Sequence, residues 1–346
     1  MLLLAAVSLL CACRREETPA PSAKSPPAPL PTTQRFKFGL ATGLGGLGDR
    51  SFNDMQYNGM ILAKQQYGIE FEYACPTSIA DFEPVIEGLI RQGCNVVLAG
   101  GGIEMTGPLD RLSVRHPGVT FILLDDRPRQ FRPNVASVRF RQNESAFLAG
   151  ALAALMSRTN RIAAIGGEDI PVIRDFLAGY SAGARHVKPG IRIVEEFVRT
   201  ADPRAVPWSN PETAKRIAHR LYAAGGVDVI FGVASASNLG IFRAAEESGR
   251  FAIGVDSDQD YQVPGTILTS AVKRLDLGIP FLVGKVLDGS LENREYILGL
   301  KEAGVGLTPM DYTRDKIPSA VLARVEALKQ AIMANEIVVP SVFSAP

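Results

Sequence analysis

The chain has 346 residues, of which 46% are hydrophobic and 21% charged, and its formal net charge is +1. That is enough chain for two domains or one large α/β unit, and the near-neutral balance excludes the basic stripe that a nucleic-acid partner requires. Four cysteines are too few for a disulfide scaffold.

Taken in chain order, Met1–Ala12 is almost wholly apolar, the length of a secretory signal core and too short to span a bilayer. It runs into Leu10-Cys11-Ala12-Cys13. A small residue before a cysteine, with Leu three positions upstream, resembles the lipobox of bacterial lipoproteins. That resemblance implies that residues 1–13 are a lipoprotein signal peptide and lipobox, and that Cys13 is diacylated and holds the chain to a membrane. The other reading is an ordinary secretory signal. Residues 14–35 are rich in Pro, Ala, Ser and Thr without an apolar period. They cannot bury a core and are expected to be an extended tether, about 3 Å per residue where polyproline-like.

From Phe36 onward, short β-type runs alternate with helical patterns. Strands are expected at 36–41, 69–74, 95–99, 120–124, 136–139, 161–165, 193–197, 228–231, 251–255 and 267–271. Helices are expected near 53–67, 80–92, 106–115, 143–158, 174–187, 211–224, 236–248, 275–288 and 317–336. Repeated βα units mean parallel sheets covered by helices on both faces. Ten strands are many for one open sheet, so two sheets of about five with a cleft between them fit better. The divisions follow: 36–142 as a first lobe, 143–262 as a second, and 263–346 as crossovers and C-terminal segments shared by both.

Gly43-Leu44-Gly45-Gly46-Leu47-Gly48 matches the dinucleotide pattern G-x-G-x-x-G. A pyrophosphate would need the N–H groups of the helix that follows. Asp49 comes directly after the third glycine and would occupy and repel at that place, so an NAD-dependent enzyme is disfavoured. The segment Asp49-Arg50-Ser51-Phe52-Asn53-Asp54 is the better candidate: Asp49 or Ser51 can cap the helix, and Phe52 then projects at the sheet edge where α/β ligands gather. No nucleophile elbow, zinc-binding pair or cysteine metal spacing is present, and His116, His186 and His219 lie in no motif. Neither an enzyme nor a cofactor or metal is expected. Cys75 and Cys94 could be thiols or one disulfide.

Several motifs occur together in order: "GLGDRSFND", "FILLDD", "NVASVRFRQNESAFLAGALAAL", "IGGEDIPVIRDFLAGYSAGARHVKPG", "VIFGVA", "AIGVDSDQD" and "TSAVKRLD". The pattern, over about residues 36–335, resembles the basic membrane protein family, substrate-binding lipoproteins of ABC transporters that include purine-nucleoside receptors. The resemblance implies the type I periplasmic-binding-protein fold, α/β with two doubly wound parallel-sheet lobes joined by a multi-strand hinge. It also implies a permease partner, a place in the cell envelope, and a ligand of the adenosine, guanosine or inosine type. Residue by residue, it implies that Phe52 packs on the base and Asn53 hydrogen-bonds the ligand, and that Asp125 faces it. Trp208 falls where a Phe covers the other face of the base. Gly232 allows close backbone approach, and Asp256 and Lys273 hold the ribose side. The family commonly has Thr-Asp after the first strand, the Asp contacting the base; this chain has Thr42-Gly43, which leaves base preference open.

The chemistry of these residue types is consistent with that expectation. A flat heterocycle between Phe52 and Trp208 would gain about 1–3 kcal/mol per aromatic by stacking. Asp256 could accept both hydroxyls of a vicinal diol, with Lys273 keeping its carboxylate ionised. Plainer readings stand beside each: Trp208 as surface packing, Asp256 as a turn cap, Lys273 as a solvated strand end, and Asp126 rather than Asp125 as the inward residue. A sugar or autoinducer receptor on the same fold is the other binding-protein reading.

Overall fold

The first strand, β1 (Lys37–Ala41), is buried along all but its first residue, as a strand covered on both faces must be. The computed structural model describes residues 36–199, 206–224 and 226–343, which belong to a compact unit spanning Phe36–Pro346. The expected signal peptide, Cys13 and the Pro-rich tether lie outside the described residues.

After β1 come α1 (Phe52–Tyr67), β2 (Glu70–Ala74), α2 (Phe82–Arg91), β3 (Val96–Ala99), α3 (Ile103–Arg115), β4 (Thr120–Leu124) and β5 (Val135–Phe140). Next are α4 (Gln142–Met156), β6 (Arg161–Gly166), α5 (Pro171–Val187), β7 (Arg192–Phe197), α6 (Pro211–Ala223), β8 (Val229–Val233), α7 (Asn238–Glu247) and β9 (Phe251–Asp256). The chain closes with β10 (Ile267–Lys273), α8 (Leu275–Leu287), β11 (Glu295–Leu298), β12 (Val305–Leu307) and α9 (Ser319–Met333).

The strands form two six-stranded sheets, ordered β11-β5-β4-β3-β1-β2 and β12-β10-β9-β8-β6-β7. Pairing is parallel throughout except between β10 and β12. The ten expected strands are all present. The two that sequence reading missed, β11 and β12, are four and three residues long and sit at sheet edges, too short to show a period. The chain passes between lobes three times: from β5 into α4, from β10 into α8, and from β11 to β12. In each sheet the order reverses next to the first strand of the lobe, β1 or β6, which places a ligand crevice at the carboxyl ends of the strands.

The run that reads "AFLAGALAAL" is apolar all round and is accordingly buried on every side, from Gln142 to Ala154 of α4. It packs on α5 at backbone distance. A Cβ on Gly150 would collide with the Tyr180 carbonyl, one on Gly179 with that of Asn143, and one on Gly183 with that of Phe147. Gly183→Ala is therefore expected to destabilise the fold by about 2–3 kcal/mol through overpacking. A urea melt would show it, and a change within about 0.5 kcal/mol would remove the close contact from the argument. α3 begins at Ile103 rather than near 106, which leaves Pro108 inside the helix and not in its first turn.

Candidate ligand-binding cleft

The glycine loop after β1 is shaped by Asn53 of α1 and by Asp49, which precedes that helix. Asn53 accepts from the Gly43 N–H through Oδ1 (2.9 Å) and donates through Nδ2 to the carbonyls of Leu44 (3.2 Å) and Gly46 (3.0 Å). Gly45 and Gly48 have φ of 97° and 93°, conformations that need glycine. Asp49 then caps the helix, accepting the backbone N–H groups of Ser51 (2.9 Å), Asn53 (2.9 Å) and Asp54 (3.1 Å). The N–H groups a pyrophosphate would use are already held by a carboxylate, so the loop serves to set Phe52 at the rim of the cleft.

The cleft holds about 720 Å³ of space between its walls, part of it open to solvent, within the range of small-molecule sites. Phe52, the first residue of α1, lines it from one lobe, and Trp208, in the turn Pro207–Ser209, lines it from the other. The indole lies on Gly167, where any Cβ would collide with it. Ile170, Ile173 and Phe176 continue the apolar wall.

Three buried charged residues form the floor: Lys273, Asp125 and Asp256, at 2%, 4% and 7% exposure. Lys273 Nζ donates to Asp125 Oδ2 at 2.6 Å and sits 5.5 Å from the Phe52 ring centre and 5.0 Å from that of Phe176, within cation–π range. The ion pair of Lys273 is with Asp125, and Asp256 feels the ammonium through space in the expected direction, favouring its ionised form, although burial outweighs it. Asp125 Oδ1 is buried with no hydrogen-bond partner, although burial makes an unpaired acceptor costly. Asp256 accepts from Ser51 Oγ (2.9 Å), and desolvation pushes its carboxyl up to about 6 against the pull of Lys273 and Ser51. Desolvation likewise raises Asp125 and Asp49. Asp125 and Asp256 have φ of 64° and 63°, a left-handed conformation that strands end in when a side chain must be re-aimed. Asp125 is the inward residue; Asp126 accepts its own neighbour's N–H, that of Arg127.

The lobes meet through the loop between β1 and α1. Ser235 Oγ donates to Asp49 Oδ2 (2.9 Å), Ser51 Oγ to Asp256 Oδ2, and Ser257 Oγ (2.6 Å) and Gln259 Nε2 (3.1 Å) to the Arg50 carbonyl. Six of the seven expected ligand residues, Phe52, Asn53, Asp125, Trp208, Asp256 and Lys273, therefore line one cleft. Asn53 does so with its side-chain atoms committed to the loop. Gly232 does not line it: Val233 does, and a Cβ on Gly232 would come within 2.6 Å of Asn238 Oδ1. Sequence reading missed Phe176, Ser235 and Glu104, which also line the cleft. Phe176 carried no signal beyond the apolar period of α5. Cys75 and Cys94 are free thiols. Among the described residues no helix is long and apolar enough to cross a membrane, and no group of three His, Cys, Asp or Glu side chains could hold a metal.

Two parallel-sheet lobes closing on a cleft at the strand carboxyl ends define a ligand-binding protein of the two-lobed, solute-binding class. The profile of the family described as "ABC transporter substrate-binding protein PnrA-like" matches residues 41–342. The chain belongs to that family, whose members are solute-binding proteins and not enzymes. It is 32% identical to a lipoprotein of Pyrococcus abyssi, over 80% of this chain and 70% of the relative. To basic membrane protein A2 of Borrelia garinii subsp. bavariensis it is 28% identical, over 86% of each. An ABC transporter solute-binding protein from Aeropyrum pernix superimposes with a TM-score of 0.78 at 28% identity, covering 89% of this chain and 94% of that one. The fold is the type I periplasmic-binding-protein fold.

Proposed function

We propose that this chain is a lipid-anchored receptor facing the outside of the cytoplasmic membrane, which closes on a nucleoside and presents it to an ABC permease. The observation that carries the reading is a cleft with aromatic walls from two lobes, Phe52 and Trp208, above a polar floor of Asp125, Lys273 and Asp256. The aromatics would stack on the base, worth about 1–3 kcal/mol each. Asp256 and the free oxygen of Asp125 would accept the ribose hydroxyls, and Lys273 holds Asp125 in place. Asn53 acts through the loop it organises and Gly232 through the room it leaves Asn238. Because both lobes complete one site, ligand favours the closed form. Cys13 would carry the lipid and residues 14–35 the reach to the permease; the lipoprotein name of the Pyrococcus relative supports this placement in the cell envelope.

Trp208 is the sole tryptophan, so its fluorescence reports on the site directly. Titration of the purified protein with purine and pyrimidine nucleosides is expected to give saturable quenching at micromolar concentration or below, and ribose alone none. A response to a sugar with silence toward every nucleoside would overturn the assignment.

A further inference from the structure

Each lobe carries one further carboxylate above the buried floor, of which Glu104 lines the cleft. Glu104 stands in the first turn of α3 and lines the cleft beside Gly101, Gly102 and Ile103. Glu168 follows β6 and is the next residue after Gly167, on which the Trp208 ring lies. Both are half-exposed, and among the described residues neither has a hydrogen-bond donor or a cation as partner. They are close enough for the charge of one to act on the other.

We infer that Glu104 reads the edge of the bound base and selects a heterocycle that presents two adjacent N–H donors, the guanine type, over one that presents a single donor. The inference rests on the nucleoside reading above. An ionised carboxylate can only accept hydrogen bonds, and one left without a donor is poorly solvated once the lobes close. Two parallel N–H groups match the two oxygens of one carboxylate, as a guanidinium does. Guanine offers that pair at its ring N–H and amino group. Hypoxanthine lacks the amino group, and adenine sets a ring lone pair against the carboxylate.

Protonation supports the assignment. Burial, and then the charge of Glu168, hold the Glu104 carboxyl up at about 7, while its place in the first turn of α3 favours the ionised form. Burial raises Glu168 as well. The other titratable groups lining the cleft are Asp125, Asp256 and Lys273, and Glu168, outside that lining, acts on Glu104 through its charge. The bidentate contact needs Glu104 ionised, so guanosine affinity should fall by about tenfold between pH 8 and pH 6 relative to that of inosine.

The experiment is a calorimetric titration of the wild-type protein, Glu104→Gln and Glu168→Gln with guanosine, inosine and adenosine. At pH 8 wild type should prefer guanosine to inosine by about tenfold, the effect of one well-made charged hydrogen bond. Glu104→Gln should bring that ratio within about threefold, and Glu168→Gln should lower it by less. Equal wild-type binding of guanosine and inosine, or a ratio untouched in Glu104→Gln, overturns the inference and leaves nucleoside binding standing. Failure of every nucleoside to bind removes both.

Discussion

Lys273→Met is expected to destabilise the protein by about 3–5 kcal/mol at pH 7.5, the loss found when one member of a buried charge pair is removed. Lys273 brings the ammonium that pairs with Asp125 and acts on Asp256, and without it Asp125 keeps only the weaker pull of Arg139. The sign with pH follows from the same carboxyls. Lys273 lowers Asp125 and Asp256, so its removal raises both further above their unfolded values. Groups raised on folding take up protons on folding, and their penalty is absent at low pH and accrues as pH rises. The deficit should therefore shrink on going from pH 7.5 to pH 5. Equal losses at the two pH values in urea unfolding would show that Lys273 acts by packing and not by charge. The double variant Lys273→Met with Asp125→Asn should recover about 2 kcal/mol of the loss, because neutralising both partners leaves no unpaired charge. Ligand affinity should remain low in both, since neither restores the floor of the cleft.

Most of the architecture was legible because strands buried on both faces and helices with marked boundaries leave strong local patterns. Thr120–Leu124 is found where the apolar run puts it, and Pro211 opens α6. What was not legible depends on contacts between distant residues. β11 is four residues that become a strand by pairing with β5, and nothing in "EYIL" alone demands it. The motif resemblance brought Phe52, Asp125, Trp208, Asp256 and Lys273 to notice, and the fold brings them to one cleft. The ion pair within that cleft was not legible: Lys273 donates to Asp125, whose left-handed backbone follows β4. Glu104 escaped notice because an acidic residue in a first helical turn is ordinary; only the fold shows that it lines the cleft. The glycine loop shows the reverse case. Its spelling suggests dinucleotide binding, while the adjacent Asp49, visible in sequence, already decides against it and in the structure caps the helix.

Asp256→Asn should move stability and binding in opposite directions. The Asp256 carboxyl rises from 3.8 unfolded to about 6 in the fold, chiefly through burial. That difference corresponds to about 3 kcal/mol of penalty once the group is ionised in both states, absent below pH 4 and complete above pH 7. Without ligand, wild type should accordingly be more stable at pH 5 than at pH 8. Asp260, also held up to about 6 beneath Ser270 and Thr308, adds a similar slope, and Asp49 and Asp125 act in the same direction. Asparagine keeps an acceptor for Ser51 Oγ but carries no charge to desolvate. The variant should gain about 1–3 kcal/mol at pH 7.5 and lose part of the pH slope, with the Asp260 share retained. Nucleoside affinity should fall by about 10–100-fold, the loss of a charge-assisted contact to a diol. Thermal melts across pH 5–8, paired with Trp208 titrations, test both halves. A variant less stable than wild type at pH 7.5 would mean that the Asp256 charge serves the fold, and its burial would no longer mark a place kept for a ligand.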